Sequence, residues 1–297
     1  MPDPEQSVEE PSGAGNARPD QMQERQEQER RLRQQVAGIK HTVAVMSGKG
    51  GVGKSTVAAN LAVALAMTGR KVGLLDSDFH GPSVPKILGL DETHLLSDGQ
   101  KILPAPCGPG LQVMSIAFLL RQKDDAVIWR GPLKMNVLRQ FLADVEWGEL
   151  DYLIVDLPPG TGDEPLSVCQ LIPGATGGVV VTTPQELALA DVRKCIGFCR
   201  QLHLPVLGVV ENMSGFVCPH CGKSTDVFGA GGGEAMAGRA GVPFLGRIPL
   251  DPTLMQACED GVPFVRGGAE TAAGQAFLRV VEQIIEASES PSAAPNA

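Results

Sequence analysis

The amino-acid sequence predicts an α/β protein with a doubly wound, mostly parallel sheet flanked by helices. Two patterns lead to this fold class. Short apolar runs rich in β-branched residues alternate with segments of helical length, which is typical of βαβ units. The runs are almost continuously apolar, as expected for parallel strands covered by helices on both faces. Because aromatic residues make up 4% of the chain and hydrophobic residues 43%, the predicted core is aliphatic.

The predicted elements follow one another along most of the 297 residues. Strands are predicted at His41–Met46, Lys71–Leu75, Leu111–Ser115, Tyr152–Val155, Gly178–Thr182, Val206–Val210 and Phe244–Ile248. Helices are predicted at Lys54–Met67, Leu133–Val145, Gln185–Leu202 and Gly232–Ala240. An apolar stripe predicts a final helix near Ala269–Ala287, and the rest of 91–130 is predicted to be loops.

Residues 39–287 are predicted to form a single domain, with a charged arm at 1–38 and a flexible tail at 288–297. The arm contains no Phe, Trp or Tyr and is dominated by Glu, Gln, Arg, Pro and Gly. Such a segment buries too little apolar surface to offset the entropy lost on ordering. We therefore expect the arm to be disordered or transiently helical.

Composition also limits the classes of function. A net charge of −9 disfavours binding to nucleic acid or to anionic membranes. No apolar stretch reaches the roughly 18–20 residues that span a bilayer, and the N-terminus lacks the apolar core of a secretion signal. Seven cysteines without an export signal favour reduced thiols over a disulfide scaffold. We therefore expect a cytoplasmic protein that binds neither nucleic acid nor membranes.

The strongest motif is a glycine-rich loop between the first strand and the first helix. Its sequence, GKGGVGKST, satisfies the G-x-x-x-x-G-K-[S/T] pattern of a phosphate-binding loop. Glycines let successive backbone N–H groups turn towards phosphate oxygens, and the helix N-terminus adds positive partial charge. Lys54 is predicted to neutralise the β- and γ-phosphates, and Ser55 to ligate Mg²⁺. The predicted nucleotide-binding residues are Gly48, Lys49, Gly50, Gly51, Val52, Gly53, Lys54, Ser55 and Thr56.

A second lysine, Lys49, lies one residue after the first glycine of this loop. A solvated side chain is one interpretation. A base at this position also marks the deviant Walker A subgroup, and the loop resembles that of the ParA/MinD-type dimerising ATPases. In those proteins this lysine reaches the nucleotide of the partner subunit. The resemblance implies that ATP binding and dimerisation strengthen each other, and that Lys49 joins Lys54 in catalysis.

Two predicted strands end in carboxylates, which in a parallel sheet point into the ligand-binding crevice. Asp76 and Asp78 follow the second strand, and Asp156 ends the strand that begins at Tyr152. Asp156 and Asp76 are predicted to organise Mg²⁺, directly or through water, and Asp78 to position the attacking water. The Gly160 N–H is predicted to reach the γ-phosphate. Capping of the next turn is the alternative for one of the two carboxylates after the second strand.

Cys218 and Cys221 form a C-x-x-C pair in a predicted loop at about 213–233. Two thiolates can hold one edge of a zinc ion or an iron–sulfur cluster, whereas a closed site needs about four ligands. No second C-x-x-C exists in this chain, so two copies would supply four thiolates. A redox dithiol is the alternative. His220 is predicted to be a solvated loop residue, with a zinc ligand as the alternative. Cys195 and Cys199, one helical turn apart, are predicted to be small buried thiols, with metal binding as the alternative.

Residues 39–285 resemble the Mrp/ApbC family of iron–sulfur cluster carrier ATPases. The matching stretches are SGKGGVGKSTVAAN (Ser47–Asn60), LLDSDFHGPSVP (Leu74–Pro85), WRGP (Trp129–Pro132), DYLIVDLPPGTGD (Asp151–Asp163), TTPQ (Thr182–Gln185) and ENMSGFVCPHC (Glu211–Cys221). The resemblance implies a P-loop NTPase fold of the deviant Walker A type. It further implies a homodimer with ATP in each subunit and a [4Fe–4S] cluster bridged between subunits by Cys218 and Cys221.

In this family the cluster is delivered to apo iron–sulfur proteins, so these and the cluster assembly machinery are the implied partners. Asn212 resembles the adenine-reading asparagine of the wider superclass, because an amide can pair with the adenine edge; a turn residue is the alternative. The arm contains no Cys, so the second, N-terminal cluster of some relatives is not expected. A ParA/MinD-like dimerising switch with a structural zinc clip is the alternative function.

Overall fold

The computed structural model describes residues 27, 30–97, 101–119, 131–172, 174–218 and 221–290. Residues 30–37 form helix α1. The strands are β1 (Ile39–Met46), β2 (Val72–Asp76), β3 (Leu96–Ser97), β4 (Ile102–Leu103), β5 (Ala105–Pro106), β6 (Leu111–Ser115), β7 (Leu150–Asp156), β8 (Gly177–Thr182), β9 (Val206–Val217), β10 (Ser224–Thr225) and β11 (Phe244–Leu250). The other helices are α2 (Lys54–Met67), α3 (Val84–Leu88), α4 (Gly131–Ala143), α5 (Asp163–Leu171), α6 (Glu186–Gln201), α7 (Gly232–Ala240), α8 (Pro252–Glu259), α9 (Phe264–Gly267) and α10 (Ala272–Glu289), with a 3₁₀ turn at Ile116–Leu119.

The predicted doubly wound, mostly parallel sheet is confirmed. Within the described residues, nine strands form one sheet in the order β10-β9-β8-β1-β7-β2-β6-β5, with β11 also paired to β9. Only β10 and β5 run antiparallel to their neighbours. The chain moves from β1 towards β2 and β6, and later from β7 in the opposite direction towards β8 and β9. Because such crossovers are right-handed, this reversal places helices on both faces and opens a crevice at the carboxyl ends of β1 and β7.

Burial follows the aliphatic composition. Strands β2 and β8 are buried along their whole length, as expected for central parallel strands. Helix α2 is buried on almost every side, because α3, α9 and α10 pack around it above the sheet. It therefore reads as uniformly apolar rather than amphipathic. The consequence for the site is a rigid base: the glycine-rich loop runs directly from β1 into this enclosed helix.

The predictions missed the short elements and placed some boundaries wrongly. Helices α3, α5, α8 and α9 were not predicted, and the segment 91–130 contains three further short strands besides β6. Strand β9 continues to Val217, so the start of the predicted cysteine loop is strand instead. Helix α10 continues to Glu289, and the hydroxyls of Ser288 and Tyr152 lie 2.8 Å apart, so the first residues of the predicted tail are structured.

The predicted arm lies mostly outside the described residues, apart from Glu27 and helix α1. Arg31 of α1 places its guanidinium 3.8 Å from the carboxylate of Asp144, next to the end of α4. Trp129, Arg130, His220 and residues 291–297 also lie outside the described residues. Among the helices that are described, none has both the length and the apolar character to cross a membrane.

Candidate nucleotide and thiol sites

The glycine-rich loop has the open geometry that phosphate binding requires. Gly51 and Gly53 have φ angles of 79° and 80°, a left-handed conformation that favours glycine. A Cβ atom at Gly50 or Gly51 would meet nothing within 4 Å, so this side of the loop is free to receive a ligand. Gly48 instead packs against Asp191 of α6, where a side chain would overlap the helix. The loop therefore opens on one side and is fixed on the other.

Lys54 forms a buried ion pair with Asp156 at the end of β7. Its ammonium lies 2.7 Å from Asp156 Oδ1 and 3.2 Å from the Ser55 hydroxyl. The two side chains are 6% and 0% exposed. The lysine expected on the phosphates thus compensates a buried carboxylate in this structure. The sequence prediction brought these residues to the same site, although it did not predict their direct contact.

Asp76 and Asp156 lie side by side at the carboxyl ends of β2 and β7, where they are register partners. Burial, followed by the charge of Asp156, raises the pKa of Asp76 to about 8. Burial also raises the pKa of Asp156, against the opposing effect of Lys54. Asp156 Oδ2 is buried without a hydrogen-bond partner among the described residues. Two buried carboxylates with an unsatisfied oxygen, next to the Ser55 hydroxyl, fit the oxygen ligands that Mg²⁺ prefers.

Both carboxylates after β2 also accept hydrogen bonds from the backbone. Asp76 accepts from the N–H of Asp78 at 3.2 Å and of Val84 at 3.3 Å, and from the Ser115 hydroxyl at 3.1 Å. Asp78 Oδ1 accepts from the N–H of His80 at 3.1 Å and of Gly81 at 3.2 Å. The turn-capping alternative therefore describes real contacts of both residues. It leaves their catalytic assignment a prediction.

Gly160 and Lys49 were both predicted to contact phosphate, and their present contacts differ from each other. The Gly160 N–H donates to the backbone oxygen of Ser47 at 2.8 Å, so a γ-phosphate would have to replace this bond. The Ser47 hydroxyl in turn donates to the backbone oxygen of Lys49 at 2.9 Å and orders the start of the loop. Within the described part of the chain, the Lys49 ammonium forms no ion pair.

Asn212 lies against the phosphate loop from the side of β9. Its amide donates to the backbone oxygen of Val52 at 2.9 Å, and the side chain is 7% exposed. A Cβ atom at Gly53 would overlap this amide. The structure thus brings Asn212 to the nucleotide loop, as the adenine-reading interpretation requires. A loop-anchoring contact accounts for the side chain in this structure.

The cysteine pair occupies the turn of a β-hairpin. Val217 pairs with Ser224 and Phe216 with Thr225, so β9 and β10 hold the two ends of the turn together. The N–H of Cys218 donates to Lys223 O at 3.0 Å, and the N–H of Gly222 donates to Cys218 O at 2.9 Å. Cys218 is half-buried and Cys221 is exposed. The pair therefore lies in the connection between two paired strands, and only this part of the predicted loop at about 213–233 lies between β9 and β10.

The other cysteines separate from this pair by burial. Cys195 and Cys199 are fully buried in α6, and burial raises the pKa of each thiol to about 12. Burial likewise raises the pKa of Cys169 to about 11. High pKa values keep thiols protonated and unreactive at neutral pH. The complete burial of Cys195 and Cys199 agrees with the prediction that they are core thiols.

Sequence reasoning missed a polar cluster that joins three segments around the carboxylates. Lys134 of α4 bonds to the carboxylate of Glu164 in α5, and its ammonium lies 2.9 Å from His80 Nε2. His80 Nε2 lies 2.9 Å from Glu164 Oε1. Burial raises the pKa of Glu164, but the contacts with Lys134 and His80 outweigh it and hold this pKa below its usual value. No local pattern could reveal a cluster of residues 30 to 84 positions apart.

Glu211 is a second residue that the sequence did not identify. It is fully buried beside Asn212 and accepts hydrogen bonds from the N–H groups of Gly231 and Gly233. A single acidic residue at the end of an apolar run, as in VLGVVEN, was the available signal. Acidic residues are almost never fully buried unless they have specific partners.

A strand, an open glycine-rich loop and a buried helix, with carboxylates on the neighbouring strands, define a P-loop NTPase of the MinD/ParA type. The profile of the family described as ParA, NUBPL iron-transfer P-loop NTPase, matches residues 38–285. The chain belongs to this family, which confirms the resemblance found in the sequence.

The relatives agree with this membership. An iron–sulfur cluster carrier protein of Methanocaldococcus jannaschii is 48% identical over 271 residues, which cover 91% of this chain and 93% of that protein. The Homo sapiens cytosolic Fe-S cluster assembly factor NUBP2 is 47% identical over 256 residues, covering 85% of this chain and 94% of its own.

Among solved structures, a nucleotide-binding protein of Archaeoglobus fulgidus in complex with ADP has a TM-score of 0.70 and 44% identity. The match covers 78% of this chain and 90% of that one. The cell division ATPase MinD of Pyrococcus furiosus has a TM-score of 0.62 at 24% identity, covering 83% of this chain and 99% of that one, and it shares the fold.

Proposed function

We propose that the protein is an ATP-hydrolysing iron–sulfur cluster carrier that binds a bridging [4Fe–4S] cluster between two copies of the chain and transfers it to apo-proteins. The observation that carries this proposal is the hairpin with Cys218 and Cys221 at its turn. Two thiols supply half of the ligand set of such a cluster. Among the described residues, no group of three or more His, Cys, Asp or Glu side chains could complete a metal site within one chain.

The surface around the hairpin supports a second copy as the source of the missing ligands. Val217, Val227 and Phe228, which flank the turn in sequence, are exposed by 44%, 53% and 39%. Large apolar side chains in such exposed positions favour a protein interface. An isologous dimer formed through this surface would bring the hairpins of both copies to the two-fold axis. Four thiolates would then surround one cluster.

The nucleotide site is proposed to bind and hydrolyse ATP with the residues at the crevice. Lys54 would exchange its contact with Asp156 for the β- and γ-phosphates, and Lys49 would contact the nucleotide of the partner copy. Ser55, Asp156 and Asp76 would hold Mg²⁺, which supplies charge neutralisation at the phosphates.

In the hydrolytic step, Asp78 would orient a water molecule whose oxygen attacks the γ-phosphorus. The bond from this phosphorus to the bridging oxygen breaks, and ADP and inorganic phosphate leave. The Gly160 N–H would release Ser47 and donate to a γ-phosphate oxygen. Because this contact exists only with the γ-phosphate bound, the loop after β7 would report whether ATP or ADP is present.

Names of relatives support the cargo and the compartment. Two proteins that match most of this chain are named iron–sulfur cluster carrier protein and cytosolic Fe-S cluster assembly factor. We infer apo iron–sulfur proteins and the cluster assembly machinery as partners, and the cytoplasm as the location. Neither a nucleic acid nor a membrane is part of the proposed function.

Anaerobic reconstitution of the full chain with iron and sulfide tests the proposal. The wild-type protein is expected to gain visible sulfur-to-iron charge-transfer absorbance, with about four iron and four sulfide ions per two chains. The Cys218→Ala/Cys221→Ala variant should gain none. The Cys107→Ala/Cys169→Ala variant is the matched control, because it also loses two thiols, and it should reconstitute normally.

Cluster uptake by the Cys218→Ala/Cys221→Ala variant would refute the carrier proposal. Tight binding of zinc by the same two thiols, without uptake of iron and sulfide, would favour the dimerising switch with a structural zinc clip. That second candidate rests on the same hairpin geometry, since two C-x-x-C pairs also form a closed tetrahedral zinc site.

A further inference from the structure

A buried carboxylate at the base of the cysteine hairpin has no part in the roles proposed so far. Glu211 is fully buried. Its Oε1 accepts from the N–H of Gly231 at 2.8 Å and from the Ser214 hydroxyl, and its Oε2 accepts from the N–H of Gly233. Arg247 Nε lies 3.8 Å from Oε1, within ion-pairing distance. The carboxylate is therefore satisfied by partners that converge on it.

These partners lie on both sides of the hairpin in the chain. Ser214 precedes the cysteine pair, whereas Gly231 and Gly233 follow it and begin helix α7. Glu211 thus closes the base of the whole excursion from 214 to 231. A carboxylate at a helix N-terminus also interacts favourably with the helix dipole. Glu211 is thus a side-chain anchor of the hairpin, beside the backbone pairing of Phe216 with Leu250 of β11.

The residues next to Glu211 contact the phosphate loop. Asn212 donates to Val52 O at 2.9 Å. The Met213 methyl lies against Gly53, where an added Cβ atom would be 3.6 Å from it. Met213 has a φ angle of 56°, a left-handed conformation that a non-glycine residue keeps only when its surroundings impose it. Asn212 and Met213 therefore contact the phosphate loop, while the adjoining Glu211 contacts the base of the hairpin.

We propose that Glu211 is a positioning residue that couples occupation of the phosphate loop to the orientation of Cys218 and Cys221. A nucleotide that moves Val52 and Gly53 shifts Asn212, and the adjoining carboxylate carries the shift to the start of α7 and to the hairpin. By linkage, a ligand on the two thiols changes nucleotide affinity by the same factor. This coupling deepens the proposed function, on which it rests for the cargo that the thiols hold.

The test measures thiol accessibility in the full-length protein without a cluster. Mg-ADP is the probe, because it fills the phosphate loop but lacks the γ-phosphate that the Gly160 N–H is proposed to contact. The alkylation rates of Cys218 and Cys221 by N-ethylmaleimide are followed peptide by peptide with mass spectrometry. Saturating Mg-ADP is expected to change these rates about fivefold in the wild type, the lower end of coupling between two sites. Glu211→Gln should reduce the change to less than about twofold.

The matched control is Glu234→Gln, which removes a carboxylate that also pairs with Arg247 but is 55% exposed. This variant should keep the wild-type response. If Glu211→Gln does not fold, Ser214→Ala removes one bond to the same carboxylate and should also weaken the response. Each variant must bind ADP, so that a lost response reports lost coupling rather than an empty site.

The coupling is refuted if both Glu211→Gln and Ser214→Ala respond to Mg-ADP as the wild type does, or if the wild type does not respond. Its failure is distinguishable from failure of the carrier function, because the alkylation assay contains no iron or sulfide. A protein that takes up no cluster but shows the Glu211-dependent response would keep the coupling and lose the cargo.

Discussion

At the scale of single residues, the ion pair between Lys54 and Asp156 compensates a buried charge in the fold but has to break when Lys54 binds a phosphate. A phosphate has to draw Lys54 away from a carboxylate that has no other described cation within ion-pairing distance. Mg²⁺ would compensate Asp156 at that moment, because its Oδ2 is already unsatisfied. Nucleotide and metal should therefore bind together more strongly than either binds alone.

Substitution of Lys54 should expose this dual role through the pH dependence of stability. Lys54→Ala should abolish ATP hydrolysis and lower the free energy of unfolding at pH 8 by about 3 kcal/mol, because it leaves a buried charge unpaired. Burial raises the pKa of Asp156. The folded state consequently holds a proton more tightly than the unfolded state, so the loss of stability should shrink as the pH falls towards 5.

Urea unfolding at the two pH values checks this expectation. The control is Lys54→Ala/Asp156→Asn, which removes both charges. This double variant should recover most of the stability at pH 8 and remain inactive. Equal losses for the single variant at both pH values would contradict the assignment of the effect to an unpaired carboxylate.

The seven thiols should differ sharply in reactivity. Burial raises the pKa of Cys195 and of Cys199 to about 12, so almost no thiolate exists there at pH 8. Cys221 is exposed on the hairpin. Peptide-resolved alkylation with iodoacetamide at pH 8 should therefore modify Cys221 while the two α6 thiols remain unmodified until the protein unfolds. Early modification of Cys195 or Cys199 would show that α6 opens in the native state.

At the scale of elements, predictability from the sequence followed the size of the local signal. The predicted boundaries of α2 and α7 agree with the structure, because the residue composition changes abruptly at both ends of each helix. Strand β9 was predicted to end at Val210, yet it continues to Val217. Its second half contains Glu211, Asn212 and a left-handed Met213, residues that a local reading assigns to a loop. Partners distant in sequence keep this segment extended.

The residues of the candidate site also differ in whether a local sequence signal predicts them. Lys54 and Ser55 were predicted because one continuous motif specifies them. The cluster of His80, Lys134 and Glu164 was not, because its members belong to three different elements. The parallel pairing of β2 with β7 brings together the segments that follow these strands, which contain His80 and Glu164. Contacts of this kind depend on topology, which single-sequence periodicity does not encode.

This cluster, in which Lys134 bonds Glu164 and both approach His80, should affect catalysis rather than binding. His80 belongs to the turn whose N–H groups hold the Asp78 carboxylate. Lys134→Met keeps the length of a buried side chain but removes the contact of that turn with α4. We expect kcat to fall about tenfold, because small misplacement of a water-orienting group is costly. KM for ATP should stay within about twofold, because no proposed phosphate contact is lost.

Steady-state ATPase kinetics test this expectation. Lys40→Ala is the matched control, since it breaks an ion pair of 2.7 Å with Asp151 near the amino ends of β1 and β7, away from the crevice. It should leave both constants unchanged. A Lys134→Met variant with wild-type kcat, or with a raised KM and unchanged kcat, would exclude a role in positioning Asp78.

At the scale of the whole molecule, the nucleotide crevice and the cysteine hairpin both lie at the edge of the sheet where the parallel strands have their carboxyl ends. Asp156 ends β7, Asn212 lies in β9 against the phosphate loop, and Cys218 follows the last residue of β9. A dimer formed through this side would join both sites at once. Lys49→Ala should therefore keep ATP binding but lose ATP-dependent dimerisation, measured by light scattering, because its ammonium is the group proposed to reach the partner's nucleotide. Dimerisation of this variant at the wild-type ATP concentration would contradict that assignment.

The requirement for two copies can be measured directly by mixing chains. Wild-type protein and the Cys218→Ala/Cys221→Ala variant are mixed in equal amounts without nucleotide, joined at random into dimers by a non-hydrolysable ATP analogue, and then reconstituted with iron and sulfide. If the cluster needs a thiol pair from each chain, only wild-type pairs carry it, and random pairing makes these about one quarter of all dimers. Cluster content per total chain should then fall to about one quarter of the unmixed wild-type value. A site completed within one chain would instead leave about one half, because each wild-type subunit would load independently of its partner. The formation of mixed pairs before reconstitution is verified with a mass-tagged variant, so that a value near one half reports an independent site and not failed mixing.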